Sequence, residues 1–260
     1  MMHVYVILIV VALLTATLSA ILGMGGGILL LAVMFSFLDH AEAIPTHAVV
    51  QIFSNGTRIL VFVRNVVWSA LARFAIGVIP GGALGALLLW KVGTLGGSEP
   101  YLKMIVGAYI LIATYMPKPA GSRRSHNERD FTIMGFVAGT AALTVGAVGP
   151  LIAPLFARHE YAKERLIATK ATCQMVTHMV KIPAFVFVLG DRIDVGKLGA
   201  LALAMGLVAI PGTLLGKRVL KHVSVSMFTT MYRTAMTIAG TKVLLYDGLA
   251  KAAGWVGASS

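Results

Sequence analysis

Eight polar side chains recur at one spacing in two places of a chain that is otherwise strongly apolar. His47, Gln51, Asn55 and Arg58 are separated by 4, 4 and 3 residues, and Lys170, Gln174, His178 and Lys181 repeat the same intervals. That rhythm puts each set on one face of a helix. A guanidinium and two ammoniums supply positive charge, and the amides between them supply hydrogen bonds, which is the chemistry of holding an anion. Thr46 and Thr169 stand beside the two stripes and add hydroxyls. All ten Asp and Glu residues fall in predicted loops or at segment ends. With no acid inside the spans, the natural counter-ion of Arg58 and Lys181 is a bound anion. The competing reading is that both cations snorkel to an interface or bond backbone carbonyls. His47 and His178 can either exchange protons near neutral pH or serve as hydrogen-bonded structural residues. Arg233 has no basic mate, and Cys173 reads as a small packing residue.

A second feature carries chemistry without side chains. The stretch ILGMGGGILL, residues 21–30, lies within a charge-free run from Val4 to Leu38. Each glycine costs a helix about 1 kcal/mol relative to alanine, so the helix should break there. A break frees backbone N–H groups and points the positive end of the returning half-helix at the bilayer centre, where it binds anions. Irregular backbone is tolerated in lipid only where protein or a water-filled cavity surrounds it. Gly25, Gly26 and Gly27, with Gly146, Gly149 and Pro150 in the second half, are therefore expected to form two facing cradles. The plainer reading makes Gly23-xxx-Gly27 a close-packed helix interface.

The elements that position these groups follow from bulk properties. Of 260 residues, 58% are hydrophobic and only 12% charged, with a mean hydropathy of +0.86, far from the charge content of soluble domains. Continuous apolar runs without two-residue alternation predict membrane helices rather than barrel strands. Eight segments are expected, at roughly 3–38 (broken at the glycines), 44–63, 69–90, 101–117, 130–157 (broken again), 164–189, 196–218 and 224–247. Trp68, Trp90, Tyr101, Tyr115, Tyr161 and Tyr246 lie near segment ends, as interfacial aromatics do. The first 22 residues lack a basic leader region and are repeated later in the chain, so they read as retained structure. One cysteine excludes an internal disulfide and a cysteine metal cluster. The net charge of +12 sits mostly in short loops, an orientation signal rather than a nucleic-acid surface.

The halves repeat. Sliding the chain by 123 residues lays Gly23 on Gly146 and Gly26 on Gly149, and aligns IPTHAVVQIFSNGTRI (44–59) with IATKATCQMVTHMVKI (167–182). A shift of 131 matches IPGGALG (79–85) to IPGTLLG (210–216). If segments 1 and 5 enter, break and return, one face collects twelve loop cations (Arg64, Arg73, Lys118, Arg123, Arg124, Arg129, Arg158, Lys163, Arg165, Lys217, Arg218, Lys221). The other face keeps five: Lys91, Lys103, Arg192, Lys197 and Lys251. The richer face is then cytoplasmic. Three true crossings per half make the repeats inverted. The expected fold is an all-α polytopic membrane protein of two inverted repeats, each a glycine-broken re-entrant helix followed by three transmembrane helices. The first repeat spans 1–117 (break at 23–27), a basic cytoplasmic linker 118–129, and the second repeat 130–250 (break at 146–150). Arg58 and Lys170 would then lie toward the cytoplasm, and His47 and Lys181 toward the outside.

No phosphate loop, zinc-protease motif or nucleophile elbow is present, so neither ATP-driven transport nor familiar hydrolysis is supported. The glycine-rich GMGGG, its second copy GAVGPL, the IPG repeats and the basic linker resemble the sulfite exporter TauE/SafE family over nearly the whole chain. That resemblance implies a secondary transporter, often an exporter, of sulfite, sulfonates such as sulfoacetate, or other sulfur-containing anions. One departure is the missing proline after the first glycine cluster, where the second copy has Pro154; it implies a less sharp first break. The expected protein is an inner-membrane, multi-pass transporter without a cofactor, metal or enzymatic activity, its partners a small anion and membrane lipid, working by alternating access. A passive anion channel and a membrane-embedded enzyme acting on an anionic lipid are the rival classes.

Overall fold

A computed structural model describes residues 2–22, 25–94, 99–115, 129–158, 161, 163–189, 194–219 and 225–254. Gly23 and nearly all of the 118–129 linker lie outside them. Among the described residues the fold is all helical, with no strands. In chain order it comprises α1 (Met2–Leu22), α2 (Gly26–Met34), α3 (His40–Phe62), a 3-10 turn (Val63–Asn65), α4 (Trp68–Thr94) and α5 (Glu99–Tyr115). Then follow α6 (Arg129–Thr144), α7 (Gly149–Arg158), α8 (Lys163–Leu189), α9 (Val195–Val219) and α10 (Val225–Thr241), which runs on as a π-helical stretch, Lys242–Ala250. Stretches His3–Ala20, Trp68–Val92, Glu164–Val188 and Leu198–Gly216 are long and apolar enough to cross a membrane. With 23 residues α3 has the length, but it carries a polar stripe.

Large apolar side chains face outward: Phe187 is 89% exposed, Leu60 80% and Ile238 67%. In water such a surface would aggregate; in lipid it is the solvent-facing side. Trp68, Trp90, Tyr101, Tyr115 and Tyr246 are exposed near helix ends, where interfacial aromatics belong.

Helix directions follow from matched contacts. A methyl group on Gly77, Gly81 or Gly85 of α4 would strike the backbone of Thr132, Phe136 or Thr140 of α6. Four residues along one helix match four along the other, so α4 and α6 are parallel. Gly212 and Gly216 of α9 meet the Leu13 and Thr17 carbonyls of α1 in the same way, so α1 and α9 are parallel too. All of these but Gly77 belong to the two IPG blocks, and their role is close helix approach. The stripe helices are antiparallel: the rings of His47 and His178 lie 5.6 Å apart, while Val67, just beyond α3, donates its N–H to Thr169 Oγ1 near the start of α8 at 3.0 Å. The Val67–Thr169 bond and the Gly82–Val180 contact make α4 and α8 parallel.

Both glycine breaks are present. Helix α1 stops at Leu22 and α2 starts at Gly26, with Gly25 at φ 98°; α6 stops at Thr144 and α7 starts at Gly149, with Gly146 at φ 83°. Only glycine adopts this backbone freely. Gly25 at the first break, like Gly146 at the second, takes a conformation that other residues resist. Gly26 backs onto α1, its missing Cβ only 2.6 Å from Ser19 Cβ.

Two boundaries differ from expectation. Helix α3 begins at His40 rather than 44, because Asp39 caps it and Glu42 accepts the Asp39 N–H at 3.4 Å. The last helix passes residue 247, so Asp247 sits inside it, buried, with Lys242 Nζ at 2.8 Å. An acid expected at a segment end is thus internal, made tolerable by its own lysine one turn away.

Candidate functional site

The two breaks bring both helix starts to one cavity. Its wall includes Gly25, Gly27 and Ile28 from the first break, Ala147, Val148, Gly149 and Pro150 from the second, and Ser19 of α1. The stripe helices contribute His47, Gln51, Arg58, Gln174 and His178. Free space, counting solvent that reaches in, is about 340 Å³.

The first helical hydrogen bonds fix which backbone donors remain. Leu29 donates to Gly25 at 3.1 Å and Ile152 to Val148 at 3.1 Å. The N–H groups of Gly26, Gly27 and Ile28 in α2, and of Gly149 and Leu151 in α7, precede any intrahelical acceptor; Pro150 has none. Each amide of the stripe leans on a helix start. A Cβ on Gly27 would lie 2.8 Å from Gln51 Nε2, and one on Gly149 would lie 2.9 Å from Gln174 Nε2. The glycines leave room for these glutamines.

Charge is distributed unevenly. Arg58 is buried (6% exposed) and its Nη2 donates to Ser19 Oγ at 2.8 Å and Ser54 Oγ at 2.9 Å, while Nη1 donates to Asn55 Oδ1 at 3.3 Å. These partners are all neutral, and Nε and the Asn55 amide nitrogen have none among the described residues. By contrast, buried Lys103 meets Glu99 at 2.8 Å and Asp39 at 3.8 Å. His47 donates from Nε2 to the Gly27 carbonyl at 2.8 Å, and its Nδ1 and that of His178 are buried and unpartnered. No three His, Cys, Asp or Glu residues gather for a metal among the described residues.

The predicted site residues therefore divide. Gly25, Gly27, Gln51, Arg58, Gly149, Pro150, Gln174 and His178 line the cavity. Gly26 packs on α1, and Asn55 reaches the site through Arg58. Thr46 is buried away from the wall, and Thr169 accepts the Val67 N–H instead. Lys181 donates to the Gly146 carbonyl at 2.7 Å, tying down the second break where His40 likewise meets the Thr144 carbonyl at 2.9 Å. Lys170 is buried, with no partner for its ammonium among the described residues, and lies off the wall. Ser19, Ser54, Ile28, Ala147 and Val148 escaped sequence reasoning. The tie of Ser19 to Arg58, 39 residues away, needs the fold.

An all-helical, multi-pass membrane protein with a buried cationic cavity at two broken helices is the architecture of a transporter. The family model for the sulfite exporter TauE/SafE family matches residues 8–243, and the chain belongs to that family. A search of curated proteins found no match. Membership places the chain among membrane transporters and agrees with a small anionic substrate and a non-enzymatic role.

Proposed function

We propose that the chain is a secondary transporter that moves small sulfur-containing anions, sulfite or sulfonates, across the inner cell membrane by alternating access. The observation that carries this is Arg58: a buried guanidinium with only neutral partners, in the wall of a cavity entered by two helix N-termini. A site with this charge and no carboxylate is complementary to an anion. Arg58, Gln51, Gln174 and the free N–H groups would hold it. Lys181 serves by holding the second break open. Sulfur and the export direction come from the family.

The helix directions support two inverted repeats with re-entrant breaks. That α6 and α8 both run parallel to α4 supports an α7 that runs back to the side on which α6 began. Gly26 beside Ser19 supports the same return in the first half. Packing is exchanged between halves: α4 of the first packs on α6 of the second, and α9 of the second on α1 of the first. Mates α3 and α8 pack antiparallel, as an axis in the membrane plane requires. The starts of α4, α6 and α8 share the face carrying Arg64, Arg129 and Arg165, which supports a cytoplasmic assignment.

The reading is tested by thermal unfolding of the purified protein against sulfite, sulfoacetate, sulfate, thiosulfate, taurine and simple carboxylates. A bound ligand stabilises in proportion to the logarithm of its concentration over Kd. At least one sulfur anion should raise Tm in the wild type and fail to do so in Arg58→Gln. No shift with any anion would overturn the reading.

A further inference from the structure

His47 gives the cavity a requirement that positive charge does not. Its Nε2 lies 2.8 Å from the Gly27 carbonyl oxygen, and a carbonyl only accepts, so Nε2 carries the proton. In a neutral imidazole the other nitrogen, Nδ1, is then a bare lone pair that can only accept. That Nδ1 is buried in a residue 1% exposed and has no partner among the described residues. Burying an acceptor unmet is costly, and His47 belongs to the cavity wall. Facing His47, His178 also keeps an unpartnered Nδ1, and no hydrogen bond among the described residues fixes which of its nitrogens holds the proton, so it adapts to either need. Arg58 and the free N–H groups of the two helix starts, by contrast, can only donate.

We propose that His47 Nδ1 makes this site selective for oxyanions that also carry a hydrogen-bond donor, an O–H or N–H group beside the charged oxygens. The inference rests on the anion-binding reading. The ligand's oxygens take the Arg58 and backbone donors, and its own hydrogen goes to His47. An anion of equal size and charge without a donor leaves Nδ1 unmet. Protonated oxyanions and amino- or hydroxy-bearing sulfonates belong to the favoured class; fully deprotonated sulfate and unsubstituted alkanesulfonates do not.

Sulfamate and methanesulfonate make the test, being monoanions near neutral pH that differ by an amino group in place of a methyl. Affinities for the full-length protein in detergent, from Tm against concentration, should favour sulfamate roughly ten- to hundredfold, the cost of one unmet buried acceptor. In His47→Phe the ratio should fall to near one while sulfamate binding weakens. Equal affinities in the wild type would overturn the inference and leave the anion reading standing, and this comparison needs no variant to fold. Binding of neither anion, nor of any in the wider panel, would overturn both.

Discussion

Arg58 and Lys181 hold equivalent places in the two stripes, yet their ends do different things. Arg58 is met by hydroxyls and an amide at the cavity wall, whereas Lys181 is spent on the Gly146 carbonyl. Replacing Lys181 by Met should therefore lower stability by about 1–3 kcal/mol, the cost of orphaning a buried carbonyl, with anion affinity changed less than about threefold. Arg58→Gln should do the reverse and weaken anion binding at least about tenfold, some 1.4 kcal/mol. Melting curves with and without a sulfur anion separate the two effects. The stripes were legible because the 4-4-3 spacing is a helix period printed twice. The split between Arg58 and Lys181 was not, since Ser19 and Gly146 lie 39 and 35 residues from the cations they meet. The alternative reading of carbonyl bonding, available for both cations, holds for Lys181 alone.

At the scale of elements, the glycines fall into three kinds that the sequence does not distinguish. Gly25 and Gly146 turn the chain at positive φ. Gly81, Gly139, Gly212 and Gly216 let helices touch backbone to backbone. Gly56 and Gly199 have open space where a Cβ would go. Alanine at Gly81 or Gly212 should destabilise the fold, since the neighbouring backbone must move, with losses on the order of 1–3 kcal/mol typical of overpacking. Alanine at Gly56 should instead be neutral or stabilise by up to about 1 kcal/mol through helix propensity. Thermal unfolding of the three variants checks the ordering. The helices themselves were readable from apolar runs, and both breaks from glycine clusters. The IPG blocks announced a repeat, but their purpose depends on α6 and α1, each contributed by the other half. The early start of α3 was readable in Asp39 and Glu42, a capping pair overlooked among the loop charges. The continuation of α10 past Asp247 was not, because a buried acid becomes acceptable only through Lys242 beside it.

For the whole molecule, the parallel run of α4, α6 and α8 requires their starts to share one face. Cys173 is the chain's one cysteine and is buried, so a Cys173→Ala background permits topology mapping. Exposed positions Asn65 and Glu164, changed to Cys, should react with an impermeant thiol reagent from the cytoplasmic side only, and Gly196→Cys from the opposite side only. Labelling of Asn65→Cys and Glu164→Cys from opposite sides would contradict a returning α7. Composition made the all-helical membrane fold legible, because lipid admits so few alternatives. The cavity was not legible, being lined by residues from both halves of the chain. The central claim concerns what crosses there. The most direct measurement is flux of labelled sulfite or sulfonate in proteoliposomes containing the purified protein. Saturable flux that disappears in Arg58→Gln and persists in Gly56→Ala is the predicted result; no flux above empty liposomes, or undiminished flux in Arg58→Gln, would contradict the account.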